Sequence, residues 1–169
     1  IDSRRNDLAD SALLARRFAE LHQSAARFAD RIDAFQQNQT RFVAAHQSLT
    51  ADSRVLVQRL RERGQRPIAD ALFRGVIQVL ERAERGGESD LAQIEPIIAR
   101  LEGGTKLRAP DDRSAFGKLV ETMRELVPAR QAVESNLADV ISGRFQQQVS
   151  LLRELVTRDT LYRLTTVND

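Results

Sequence analysis

Residues 14–60 read LARRFAELHQSAARFADRIDAFQQNQTRFVAAHQSLTADSRVLVQRL, a stretch without Gly or Pro. Leu14, Phe18, Leu21, Ala25, Phe28, Ile32, Phe35, Gln39, Phe42, His46, Leu49, Ser53, Leu56 and Leu60 follow one another in alternating steps of four and three. That spacing keeps one stripe of a helix turned toward near-parallel neighbours, and a strand would need a period of two. The stretch therefore predicts one long helix. From Leu8 to Arg63 it would run ~84 Å at ~1.5 Å per residue. A compact globule of this chain length is only ~40 Å across. An elongated, antiparallel all-α bundle is expected, with Ser48 to Ser53 as the weakest stretch for helix continuity.

Downstream, punctuation comes from Gly and Pro. Gly64 to Pro67 makes the first turn. A second helix to about Arg85 carries a wide apolar face of Ile68, Leu72, Phe73, Val76, Ile77, Val79 and Leu80, and Gly86 with Gly87 ends it. A third helix holds Leu91, Ile94, Ile98 and Leu101, with Pro96 either kinking it or marking its first turn. Gly103 to Pro110 is the longest loop. Asp111 or Asp112 is expected to cap a fourth helix, which carries Phe116, Leu119, Val120, Met123, Leu126 and Val127. Pro128 should kink or interrupt it before a last helix, from Val133 to Tyr162, whose pattern slips near Val140. The three middle helices are short enough to pack only against the last third of the first. This predicts a distal four-helix bundle over 44–127, with 1–43 and 128–169 as a stalk. The stalk's unmatched seam calls for a second chain, so a homodimer through the first and last helices is expected.

Composition limits the function classes. The chain has 169 residues, 30% of them charged, and a formal net charge of +2. Basic and acidic residues are interleaved, unlike the concentrated charge of a nucleic-acid binder, so no nucleic-acid partner is expected. The densest basic run, Arg59, Arg61, Arg63 and Arg66, reads as a solvated helix end or as an anion site. Without cysteine there is no disulfide, thiolate metal site or cysteine nucleophile. No apolar run approaches the ~20 residues a membrane helix needs. The first residue is Ile1, and the chain is read as a segment of a longer protein, with any signal or membrane anchor outside it.

No catalytic constellation appears, and an enzyme is not expected of this segment, nor any cofactor or metal. His22 and His46 lie ~36 Å apart on one helix at ~1.5 Å per residue and cannot share a metal. Gln39, His46 and Ser53 interrupt the seam every seven residues. Such residues either set register or line a cavity for a polar ligand. His46 is either a seam residue that fixes packing or part of a ligand- or pH-sensing site. Antiparallel register puts His46 level with Arg82 and Ser53 level with Gly75 and Val76. Gly75 should leave room there, flanked by Arg74 and Gln78. The candidate ligand-binding residues are therefore His46, Ser53, Arg74 and Gln78.

Three segments in order resemble a known family. Ile32-Asp33-Ala34-Phe35-Gln36-Gln37-Asn38-Gln39-Thr40-Arg41-Phe42 is similar to a pattern of acidic–x–Phe–Lys–x–x–Asn–x–x–Leu, with Gln36 at the basic position. Val76 to Leu101 resembles the helix, acidic turn and helix that follow. Leu126 to Tyr162 resembles a closing region with a proline after a hydrophobic pair and a long helix ending Leu-Tyr-Arg. The family is DAHL, the double all-helical ligand-binding sensor domains of bacterial transmembrane receptors, such as VirA-type sensor kinases. The resemblance implies a periplasmic, extracytoplasmic input domain of an inner-membrane protein, held by flanking membrane segments outside this chain. It would take a small-molecule or periplasmic-protein ligand and relay a helix displacement to a cytoplasmic histidine kinase or similar output. The alternative from the residues alone is a structural or adaptor coiled-coil protein.

Overall fold

The computed structural model describes residues 2–141, 149, 150 and 153, with side chains from residue 12 onward. The fold is all-α, with one very long N-terminal helix. The elements are α1 (Asp2–Glu62), α2 (Arg66–Arg85), α3 (Glu88–Ala92), α4 (Ile94–Gly104) and α5 (Pro110–Ile141). The chain divides into two compact units, 34–137 and a second of which 2–33, 138–141, 149, 150 and 153 are described. No helix among the described residues is long and apolar enough to cross a membrane.

α1 is uninterrupted through Ser48–Ser53. The hydroxyls there bond within the helix: Thr50 Oγ1 donates to the His46 carbonyl (2.8 Å) and Ser53 Oγ to the Thr50 carbonyl (3.1 Å). Backbone carbonyls one turn back thus take up the polar groups that made this stretch look weak. α1 stops in a two-bond glycine cap. Gln65 N–H donates to the Leu60 carbonyl (2.8 Å) and Gly64 N–H to that of Arg61 (3.0 Å), with Gly64 at φ +73. Only a left-handed residue allows both bonds, which is why glycine stands there. Pro67 then lies in the first turn of α2, where no intrahelical N–H bond is lost.

In the unit 34–137 the second half of α1 packs with α2, α4 and α5 as a four-helix arrangement, and α3 is a short turn of helix leading into α4. Its core holds Phe42, Leu49, Leu56 and Leu60 from α1, Leu72, Val76 and Val79 from α2, Ile94, Ile98 and Leu101 from α4, and Leu119, Met123, Leu126 and Val133 from α5, all buried. The α1 seam changes character along its length. Its apolar members from Phe42 to Leu60 are buried; Leu14, Leu21, Ala25, Phe28, Ile32 and Phe35 are half-buried, and Phe18 is 51% exposed. The compact unit extends beyond 44–127 at both ends, since Phe42 and Val133 belong to its core.

Four expectations need correction. The third helix is two: α3 ends at Ala92, Gln93 turns, and Pro96 falls in the first turn of α4 rather than in a kink. α5 runs unbroken through Pro128, so the fourth and last helices are continuous over the described residues. The missing Pro128 N–H costs one helical bond to the Arg124 carbonyl. Burial of Leu126, Ala129 and Val133 on either side outweighs it. Neither Asp111 nor Asp112 caps that helix: Pro110 opens it, and Arg113 N–H donates to the Ala109 carbonyl (3.1 Å). The apolar face of α2 is not all interior, since Phe73 is 41% and Ile77 37% exposed. The pattern past Ile141, including most of the expected last helix and its dimer face, lies outside the described residues.

Candidate functional site

Two ion pairs bridge α1 and α2, and together they fix the antiparallel register. His46 Nε2 lies 2.9 Å from Glu84 Oε1, and Arg61 Nη2 lies 2.9 Å from Asp70 Oδ1. Each residue forward on α1 is met by one residue back on α2. Ser53 therefore stands level with Ile77 and Gln78, about two residues from the expected level at Gly75 and Val76.

The four candidate ligand residues do not converge. Ser53 is buried, with its hydroxyl bonded inside α1. Arg74 and Gln78 are exposed on α2, and Arg74 Nε donates back to the Asp70 carbonyl (3.3 Å). The room expected beside Gly75 is filled. A Cβ built on Gly75 would lie 2.7 Å from both Leu101 methyls and 2.9 Å from its Cγ. The missing side chain is there so that α4 can approach α2, and the space holds a leucine rather than a ligand.

Only His46 sits among polar groups from other helices. A carboxylate can only accept, so Nε2 carries the proton in the bond to Glu84. The imidazole is also 6.3 Å from the Phe42 ring, whose face holds the Arg130 guanidinium at 5.5 Å. Arg130 Nε donates to Glu134 Oε1 (3.2 Å), and that same oxygen accepts from the Gly87 N–H (2.8 Å). The cluster thus joins α1, the C-terminal end of α2 and α5. Its closeness depends on Gly86, which is buried at φ +67, and any Cβ there would overlap Glu134 Oε1 and the Arg130 guanidinium. The sequence carries two local signals for this cluster, the four-residue spacing of Arg130 and Glu134 and the Gly86–Gly87 pair. Nothing local joined the two, because the meeting depends on how α5 passes the turn.

A second charged centre lies at the other end of the bundle. The Asp112 carboxylate is 1% exposed and is held by Arg63 Nη1 and, at 3.5 Å, by Arg59 Nη1. Two members of the basic run thus meet an internal anion, and Arg61 meets Asp70. On the outer surface Arg124 lies 2.9 Å from both Glu95 and Glu102, and the bonds to Glu95 and then Glu102 push its guanidinium above its usual range. Arg82 pairs with Asp90 at 2.6 Å across the α2–α3 turn.

Among the described residues no three His, Cys, Asp or Glu side chains are grouped to hold a metal ion. Comparison with protein-family models, with curated proteins and with solved structures returned no match.

Proposed function

We propose that this chain is the extracytoplasmic ligand-sensing domain of a bacterial transmembrane signalling receptor, a histidine kinase or a similar protein. The observation that carries this reading is α1 itself. One uninterrupted helix supplies a wall of the bundle 34–137 at its C-terminal half and continues to Asp2. A change in packing around Phe42, His46 or Leu49 therefore acts on the same helix that carries residues 2–33. Ligand coupling of this kind requires contacts that differ between two helix arrangements. The cluster around His46, where three helices meet through polar contacts, is the place for such a difference. On this reading the chain lies in the periplasm, membrane segments flank it, and a homodimer forms through the first and last helices. The half-buried seam from Leu14 to Phe35 supports the dimer.

A second reading, a structural or adaptor helical bundle, is favoured by Leu101 filling the space beside Gly75. Alkaline phosphatase fusions to the complete gene product separate the two. Activity of fusions placed within this segment supports the receptor domain, and inactive fusions refute it. Calorimetry against a panel of small metabolites, repeated with His46→Ala and Arg74→Ala, then tests the ligand site. Unchanged binding by both variants would exclude His46 and Arg74 from it.

A further inference from the structure

We infer that the end of the bundle 34–137 formed by the α1–α2 turn and the α4–α5 loop binds an extended acidic segment of a partner protein. The inference stands apart from the receptor reading. Asp112 holds the two pieces of chain together, because its buried carboxylate takes Arg59 and Arg63 of α1. The segments 59–70 and 106–113 together carry seven basic and four acidic side chains, a larger excess than the +2 of the whole chain. Positive charge that is interleaved with negative along the sequence is thus gathered by the fold at one end. Asp112 takes up Arg59 and Arg63, and Asp70 takes up Arg61. Arg66, Lys106, Arg108 and Arg113 are exposed and have no ion pair among the described residues. Beside them stand two exposed acids, Asp111 and Glu62, the latter accepting from Gln58 Nε2 (2.9 Å).

The loop is what favours a peptide as the anion. Thr105 has extended backbone, at φ −96 and ψ 93. Leu107 is buried in the core, and Lys106 and Arg108 on either side of it are exposed. That is the side-chain alternation of a strand. Among the described residues, the N–H and carbonyl groups of Lys106, Leu107 and Arg108 make no backbone–backbone hydrogen bond. A second extended chain laid along the loop meets free donors and acceptors, and its acidic side chains at alternate positions meet Lys106 and Arg108. A lipid surface or a nucleic acid would have only the charge to use. None of the exposed large apolar side chains lies in 59–70 or 106–113, so these segments offer no wedge for a bilayer and no platform for stacked bases.

The test is fluorescence anisotropy of the whole chain with a labelled short peptide of alternating Glu and Thr, at low ionic strength, where exposed charges are least screened. Four competitors are compared: the unlabelled peptide, the same peptide N-methylated at every Thr, phosphatidylglycerol vesicles and an oligothymidylate of equal charge. The variant R66Q/K106Q/R108Q/R113Q is expected to weaken binding about tenfold, from four exposed charge contacts of modest strength each. A control with the same loss of charge, R31Q/R41Q/R54Q/R100Q, should weaken it less than about threefold. K106Q/R108Q, confined to the loop, repeats the test without altering a helix and should account for about half of the effect on a logarithmic scale. The N-methylated peptide should compete several-fold less well, since it keeps the charge and loses backbone donors. Absence of binding by the wild type would overturn the inference, as would equal losses in the tip variant and the control. Equal competition by the N-methylated peptide would show that charge alone is read, and better competition by vesicles or oligothymidylate would give the patch to another class of partner; either result also overturns it.

Discussion

At the scale of single residues, the strongest constraints are an interior charge and two missing side chains. Asp112 is a buried carboxylate whose two arginine partners keep about two-fifths of their surface in water. Asp112→Ala leaves those guanidiniums able to hydrate, so the cost should fall below the ~3–5 kcal/mol of a fully buried broken pair. We expect ~2 kcal/mol in urea unfolding, and a loss under ~0.5 kcal/mol would mean that the pair contributes little net stability. Gly75→Ala tests a different force. Alanine improves helix propensity by ~1 kcal/mol, but its methyl would press on the Leu101 Cγ and both methyls. Because the Cγ is involved, the whole leucine must move, and overpacking of ~1–3 kcal/mol should win. The variant is expected to be destabilised, and less so when Leu101→Val accompanies it. A stabilised single variant would show that Leu101 moves aside freely.

At the scale of elements, α5 carries the clearest conflict between local propensity and packing. Pro128 stands inside a helix whose neighbouring turns are buried, and its own side chain is exposed. Pro128→Ala restores the N–H for the Arg124 carbonyl and removes a ring that strains the backbone. The interior-proline penalty is ~3 kcal/mol in model helices, and the structure has already adapted around the ring, so a gain of ~1–2 kcal/mol is expected. Urea unfolding checks it, and a loss of stability would mean that the proline sets a bend the core requires. The same helix shows how far sequence reading reaches. The apolar stripe Leu119, Met123, Leu126 and Val133 was legible as helix on both sides of the proline. Whether the two pieces were one helix was not, because continuity depends on burial contributed by α1, α2 and α4.

At the scale of the whole molecule, the unit 34–137 has its own closed core, in which Leu49, Leu56, Leu60, Leu72, Ile98 and Met123 are almost fully buried. A segment of these residues alone should therefore fold and unfold in one cooperative urea transition with an m-value suited to a domain of about 100 residues. A broad, non-cooperative transition would show that the bundle needs the rest of the chain. The half-buried seam from Leu14 to Phe35 makes a separate prediction. Sedimentation of the whole chain at tens of micromolar should show a monomer–dimer equilibrium, weakened by replacing Phe18 and Phe28 with Ala. Indifference to both substitutions would place the association elsewhere.

The sequence by itself determined the helical class, the great length of α1 and the turns at 64–67 and 86–87. Those features rest on local quantities: a four–three apolar spacing without Gly or Pro, a left-handed glycine at 64 and the glycine pair at 86–87. It also marked His46 and Ser53 as polar members of an apolar seam. The tertiary structure decided what those residues meet. Ser53 satisfies its hydroxyl inside α1, whereas His46 reaches Glu84 and joins a cluster with Arg130 and Glu134. Asp112, read locally as a cap, became the buried partner of Arg59 and Arg63. The space beside Gly75 went to Leu101. Helical periodicity is set by bonds four residues apart and can be read along the chain. Charge pairing and close packing between helices depend on register and approach, which are fixed only when the helices meet.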